Sequence, residues 1–412
     1  MALRGYRYAR GRSRDLSNVV APPYDQISAD AQDRLYAMSP ENIVRVTYGK
    51  DEGGLDRYAQ ARAVLESWLA AGVWARDEEP AIYPYHQTYR LEGRPVTRRG
   101  FIALGEVSDY TQRMVLPHER THAGPKLDRL KLLEATGADI GLLFMLVSDP
   151  AGEIRDATAP RGEPLVEARD LGGEWHGLWR LTDPTVIATV QALMSPRSVI
   201  IADGHHRYET AVEYAHRHPS AAHKLMAFFA LEAPGLTILA NHRLLSGVQR
   251  FSLASLAAAA GPCFEVSSLG DPLRFQPTPH RIGVVTGNGA AVFTARADAV
   301  DRIAWPAATS RAWRELAVAI LHEGLLEPLL HITATGLEAR SRVDYTADQA
   351  EAVRLASEGQ CQAAFLIAPT TPQALQAIVA GGEVLPQKST HFYPKLLDGL
   401  VFHRLGEEHE DD

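Results

Sequence analysis

Cysteine is nearly absent: Cys263 and Cys361 are the only two in 412 residues, in unrelated contexts and without CxxC spacing. That excludes a disulfide framework and a thiolate zinc site, and it agrees with a reducing, cytoplasmic compartment. Long apolar runs are missing too. The strongest, Ile140 to Val147, falls far short of the roughly 20 residues a membrane-crossing helix needs, so no span is expected. Nor is there an excess of positive charge, with 42 Lys and Arg against 50 Asp and Glu and a formal charge of −8. This balance argues against a protein held to nucleic acid by bulk electrostatics. The first fifteen residues carry five arginines but no apolar stretch, unlike a secretory signal.

What is present describes an ordinary globular chain. Hydrophobic residues make up 46% and charged residues 22%, which supplies a core and excludes disorder as the main state. The length suggests two to three packed units or one elaborated unit. Spacing predicts a helix over Asp56–Ala71, with Tyr58, Ala61, Leu65, Trp68 and Leu69 on one face and Gly72 closing it. A hairpin follows, alternating through Tyr83, Tyr85 and Gln87, turning near Glu92-Gly93 and returning over Gly100–Val107. Residues 149–174 read as an exposed excursion, and Pro184 starts a helix running to Met194. Further on, TGNGAA at 286–291 lies between valine-rich stretches and reads as a hairpin turn, not a phosphate loop. Helices are expected over 311–321 and 348–358, and after Thr371 as N-cap with Pro372 behind it. The fold class is therefore mixed α+β. The expected division is a core over 1–223, a second α/β portion over 224–384, and a segment over 385–412 that returns to the site.

Three stretches are rich in chemistry. In IIADGHHRYETA an apolar strand runs into Asp203-Gly204, and a helix starts at once with His205, His206 and Arg207. A helix start offers unpaired N–H groups and about half a positive charge, Gly204 permits close approach, and Arg207 suits bidentate phosphate contact. Inward positions on this helix are Tyr208, Ala211, Val212 and Ala215, leaving Glu209 and Glu213 solvated or paired. In LPHERTHAGPKLDR, Pro117 and Pro125 keep His118, Glu119, Arg120, Thr121 and His122 out of regular helix, with a helix expected from Leu127. There Glu119 suits proton abstraction or Mg2+, while Thr121, Lys126 and Arg129 suit phosphate oxygens. The string HERTH matches HExxH letter for letter, so a zinc hydrolase using His118 and His122 stands as an alternative. The third stretch, between Pro386 and Pro394, sets out Lys388, Ser389 and Thr390, with Lys395 just beyond. It can close over a phosphorylated ligand or pair as a strand with a sheet.

Together with VAPPYDQIS at 20–28, the tyrosine-bearing strand at 83–89 and KSTHFYPKLLDGL, these stretches resemble the domain-of-unknown-function family numbered 1015 over nearly the whole chain. The strand-DGHHR-helix unit is similar to the phosphate signature of the superfamily of ParB proteins, sulfiredoxins and free serine kinases. That resemblance implies a ParB-like core in which Gly204, His205, His206 and Arg207 hold nucleotide phosphates. By the same resemblance the glutamate acting on the substrate hydroxyl is Glu119, beside His118. The expected function is phosphotransfer on serine or O-phosphoserine, as a kinase or phosphatase, with Mg2+ at Glu119 and Asp203 and ADP or ATP as partner. A homodimer is compatible with this. The rival from another class is a nucleotide-gated module without turnover.

Overall fold

Helix starts and turns are where the sequence imposes itself most directly. Asp56 accepts from the N–H groups of Tyr58 and Ala59 at 3.0 and 2.9 Å, starting the helix Arg57–Ala70, and buries Ala61, Leu65 and Trp68 behind it. Glu92 and Gly93 both take positive φ, 50° and 77°, which is the two-residue turn that a right-twisted hairpin prefers. The structure is a computed structural model that describes residues 1–9, 14–51, 54, 56–119, 123–333 and 342–406. No helix among them is long and apolar enough to cross a membrane.

The chain divides into two units, one of Met1–Pro117, Thr121–Leu236 and Pro394–Asp412, the other of His118–Arg120 and Thr237–Tyr393. The strand His223–Ala230 belongs wholly to the first unit's sheet, so the division falls after Leu236, whereas the sequence placed it at 223.

In the first unit the strands are β1 (Tyr6–Tyr8), β2 (Trp74–Arg76), β3 (Tyr83–Leu91), β4 (Arg94–Glu106), β5 (Val115–Leu116), β6 (Ala138–Asp139), β7 (Leu143–Val147), β8 (Val166–Arg169), β9 (Trp175–Leu178), β10 (Val199–Asp203) and β11 (His223–Ala230), with the C-terminal strand His403–Arg404 pairing with β6. Eight of them form a mixed sheet in the order β5-β10-β7-β11-β4-β3-β9-β8. β10 runs parallel to β5 and β11 parallel to β7; the other pairings are antiparallel. β7 lies at the centre and is buried throughout, as its unbroken apolar run requires. One face packs Phe101, Leu143, Met145, Met226 and Phe228 with Tyr208 of the helix His205–Arg217. A separate core gathers Leu65, Trp68, Trp74 and Phe402, the last stacked on Tyr6 with centroids 5.1 Å apart.

Several boundaries differ from expectation for identifiable reasons. The hairpin's second strand begins at Arg94, because the ladder pairs from Leu91↔Arg94 onward. The helix expected from Leu127 begins at Ala123; Pro125 sits in its first turn, where a missing N–H costs nothing. The stretch 149–174 is not a simple excursion. Asp149 accepts from the N–H groups of Ile154 and Arg155, starting the short helix Glu153–Ala157, and β8 turns Val166 and Ala168 inward.

The second unit holds β12 (Thr237–Leu239), β13 (His242–Leu245), β14 (Phe264–Ser268), β15 (Arg281–Thr286), β16 (Gly289–Ala295), β17 (Val343–Thr346), β18 (Ala363–Leu366) and β19 (His391–Tyr393). Six make a sheet in the order β14-β16-β15-β18-β13-β17, each described pairing antiparallel. TGNGAA is the β15–β16 turn, as read from sequence. The helix Gln349–Ser357 lays Ala352, Val353 and Ala356 against Val285, Val292 and Leu366. The helix expected over 311–321 is broken. Leu316 turns extended to enter the core, leaving Arg311–Arg314 and Ala317–Leu321 as separate pieces. Thr371 caps its helix as expected, and Asp348, which the sequence placed at the start of a helix, is the N-cap of Gln349–Ser357.

Removing the Asp56 carboxylate leaves two helix-start N–H groups without their acceptor. Asp56→Ala is expected to cost about 1 kcal/mol, read as a lower urea midpoint with unchanged slope.

Candidate functional site

The DGHHR strand-turn-helix forms as the sequence implies, with a detail that sets its geometry. β10 pairs with β7 regularly from Val199 to Ile201, then bulges so that Asp203 stands opposite Phe144. A bulge re-aims the side chain beside it. Gly204 follows at φ +99°, and a Cβ there would lie 2.7 Å from Leu143 Cδ2 and 3.1 Å from Arg207 Cζ. Only glycine permits this turn without strain. The helix then runs His205–Arg217 with no side-chain cap, the Tyr208 N–H donating to the Gly204 carbonyl at 2.9 Å. His205 is buried in its first turn and His206 is half-buried.

Arg207 turns inward and is almost wholly buried. Its guanidinium donates to the Leu142 carbonyl and lies 3.7 Å from Asp203. Burial works against its charge, but the carboxylates of Asp203 and Asp398 outweigh that and hold its pKa above the ordinary arginine value. Lys395 donates to the other Asp203 oxygen at 2.8 Å. A second buried arginine places Lys395: Arg98 donates to the Pro394 carbonyl and to Gln87 Oε1, while Gln87 Nε2 donates to the Lys395 carbonyl at 2.8 Å. Arg98 is flanked by the rings of Phe144 and Phe229 at 4.5 and 4.8 Å, and burial pulls its pKa down to about 10.

Beneath the turn lies a cavity of about 60 Å³ whose walls include Tyr24, Arg129, Arg207, Thr210, Lys224 and Asp398, with Asp139 and Gly141 beside them. Arg129 donates to the Thr47 carbonyl at 2.8 Å and covers the Tyr24 ring at 3.9 Å. Lys224 donates to Asp139 and to the Gly141 carbonyl; burial lowers its pKa, with Asp139 opposing. Asp398 Oδ1 is buried with no partner among the described residues. Burial pushes the Asp398 carboxyl up to about 7, although Arg207, Lys224 and Arg129 all favour its charged form. Three cationic side chains thus line the cavity, Arg129 also paired with Asp128, Arg207 with Asp203 and Lys224 with Asp139, and the Asp398 carboxyl among them titrates at about 7.

The second unit holds the other predicted residues. His118 and Glu119 lie in a bend after Pro117, so the helix that HExxH chemistry needs does not form there; Arg120, Thr121 and His122 lie outside the described residues. The His118 ring bonds Thr390 Oγ1 at 2.8 Å, and its carbonyl accepts from Leu385 N–H. Glu119 Oε1 accepts from the Lys388 N–H at 3.2 Å, Lys388 having φ +54°. Asn241 donates to the carbonyls of Lys388 and Thr390, both at 3.0 Å, while the Ser389 hydroxyl donates to the Pro386 carbonyl. β19, just beyond, pairs with β12.

The structure thus brings His118 and Glu119 to Lys388, Ser389 and Thr390 in the second unit. In the first it brings Asp203, Gly204 and Arg207 to Lys395, and Arg207 and Arg129 to one cavity. Lys126 is turned to Glu209, as the sequence allowed for that glutamate. Sequence reasoning assigned no role to Tyr24, Asp139, Lys224 or Asp398. Tyr24 and Asp398 stood inside quoted motifs, whereas Asp139 and Lys224 gave only the signal of a charge entering an apolar strand.

A family model described as "Protein of unknown function (DUF1015)" matches residues 1–319. A curated relative, protein nucleotidyltransferase YdiU of Rhizobium etli, is 36% identical over 89 residues, which is 21% of this chain and 17% of its own length. The chain thus spans about a sixth of the curated relative it matches. Among solved structures, a free serine kinase in complex with AMP aligns over 74% of this chain and 92% of its own, at 12% identity and TM-score 0.39. A conserved hypothetical protein from Pyrococcus furiosus covers 72% and 93% at 12% identity and TM-score 0.37. C-terminally truncated SbnI from Staphylococcus aureus covers 76% and 90% at 11% and 0.39. Likenesses this distant leave activity to be argued from the chain's own residues.

The raised carboxyl makes stability depend on pH in a definite direction. Folded, Asp398 keeps its proton to about pH 7; unfolded, it loses it near the ordinary 3.8. Its contribution is full below the unfolded value and is lost as pH rises through 7. Wild type minus Asp398→Asn stability, from urea titrations at a series of pH values, is expected to fall across that window by up to about 1.4 kcal/mol per pH unit. Parallel profiles would place the raised group elsewhere.

Proposed function

The chain belongs to the DUF1015 family, and from that premise we propose that it is a phosphotransfer enzyme whose anion site is the cavity beside Arg207, acting on serine or O-phosphoserine. The observation that carries the reading is the cluster of Arg129, Arg207 and Lys224 around about 60 Å³, facing an Asp398 whose carboxyl titrates near 7. Phosphoryl transfer asks a protein for positioning and charge neutralisation more than for covalent chemistry. A cavity this small admits a phosphate or carboxylate head group, so the rest of a nucleotide would lie outside it. Arg207 supports the head group with a planar fork whose orientation is fixed by the Leu142 carbonyl and Asp203.

The substrate class comes from the DGHHR resemblance, and so does Glu119 as the carboxylate acting on the hydroxyl. Mg2+ would accompany a nucleotide, but Asp203 does not fit as its ligand. Lys395 donates to one of its oxygens and Arg207 stands near the other, and neither Asp203 nor Glu119 belongs to a group of three possible ligands among the described residues. No step is assigned to the ion. His206, Lys388, Ser389, Thr390, Thr121 and Lys126 remain proposed phosphate contacts on the strength of the resemblance and the residue types.

Thermal-shift and turnover measurements with Mg2+, offering ADP, ATP, CTP, phosphate, serine and O-phosphoserine singly and in pairs, test the reading. A bound ligand raises stability by mass action, so a preferred head group is expected to appear as a concentration-dependent rise. Arg207→Lys keeps the charge but loses the fork, and should weaken that ligand by at least about tenfold. Stabilisation without turnover of any pair would leave a binding module in place of an enzyme; no stabilisation by any ligand would remove the anion site.

Glu119→Gln separates the second assignment. It is expected to lower turnover by about two orders of magnitude with ligand affinity unchanged. Equal turnover would take the base role from Glu119.

A further inference from the structure

One cluster in the second unit plays no part in this reading. Between the helices Ala317–Leu321 and Glu327–Leu330 the chain makes a π-helical turn, His322–Leu326, closed by the Glu327 N–H donating to the His322 carbonyl. In an α-helix, residues five apart point about 140° away from each other. The wider turn brings them to one side: His322 Nδ1 lies 3.8 Å from a Glu327 oxygen and 3.2 Å from a Glu323 oxygen. One ligand atom from each of the three lies within 4.8 Å of the others. Single π-turns inside helices are frequent at functional sites.

The electrostatics of the cluster ask for a cation. His322 is 6% exposed, and its Nε2 has no partner among the described residues, so the ring's one polar outlet is toward the two carboxylates. The Glu323 side chain is only 14% exposed, and no lysine or arginine pairs with Glu323 or Glu327 among the described residues. Two adjacent carboxylates, one largely removed from water, repel each other unless positive charge lies between them. Ligands of a tetrahedral ion with bonds of 2.0–2.1 Å stand about 3.3 Å apart, and the observed 3.2 and 3.8 Å lie close to that edge.

We propose that His322, Glu323 and Glu327 bind one divalent transition-metal ion. The donor set, one imidazole and two carboxylates, suits Zn2+ or Mn2+ and is too nitrogen-rich for a preferred Mg2+ or Ca2+ site. His322 and Glu323 also line a cavity of about 390 Å³ that includes Arg243, Thr309 and Trp313, so positions on the ion left open by the protein face a space where water or an anion fits. This site is independent of the proposed phosphotransfer chemistry.

The test uses the full chain, stripped with chelator and then titrated with Zn2+, Mn2+, Mg2+ and Ca2+ by calorimetry, with metal content and thermal midpoint as second readouts. One equivalent of Zn2+ or Mn2+ is expected to bind and raise the midpoint, with Mg2+ and Ca2+ at least about tenfold weaker. Glu327 is half-exposed, so Glu327→Gln should leave the metal-free midpoint unchanged and weaken binding at least about tenfold. Glu323→Gln should do the same to affinity. Absence of stoichiometric binding, or wild-type affinity in both variants, would overturn the assignment, whatever the outcome of the phosphotransfer assays.

Discussion

Positive charge taken out of water costs several kcal/mol per ion unless acceptors meet it inside, and the first unit buries Arg98, Arg207 and Lys224 almost completely. Much of its architecture follows from where their acceptors come from. Arg98 is met by Gln87 on the neighbouring strand and by the carbonyl of Pro394, nearly three hundred residues later in the chain. Arg207 is met by the Leu142 carbonyl and by Asp203, and Lys224 by Asp139 and the Gly141 carbonyl. None of these charges can be satisfied by its own element. Each therefore requires that the sheet, the β6–β7 connection and the C-terminal segment be assembled together.

That requirement explains why the segment after Pro394 belongs to the first unit although the preceding residues belong to the second. Lys395 is delivered to Asp203 by backbone contacts that Arg98 and Gln87 make, not by a pocket shaped around its own side chain. Three residues on, Asp398 enters the interior with its backbone paired to Ala21 and one carboxyl oxygen lacking a hydrogen-bond partner among the described residues. Burial discourages the negative charge on Asp398, although Arg207 and Lys224 beside it favour that charge.

The second unit shows a different use of polar groups. Its KST segment is held by side chains spent on backbone: Asn241 on two carbonyls, Ser389 on Pro386, Glu119 on the Lys388 N–H. Such bonds give a loop one conformation, with Lys388 in the left-handed region. His118, bonded to Thr390 and set edge-on to Phe392, is part of the same brace.

Local chemistry was legible in the sequence wherever it is decided within a few residues. The cap at Thr371, the helices begun at Asp56 and Asp348, the Glu92-Gly93 turn, the TGNGAA hairpin and the strand-Gly204-helix unit all follow from hydrogen bonds and φ preferences that a short window contains. Three things were decided only by the tertiary structure. Leu316 breaks its helix because a distant core takes the side chain; Lys224, Asp139 and Asp398 meet because strands remote in sequence align; Lys126 meets Glu209 because two helices pack together. In each case the deciding energy belongs to partners that are far apart along the chain, and a pattern of neighbours in sequence holds no record of them.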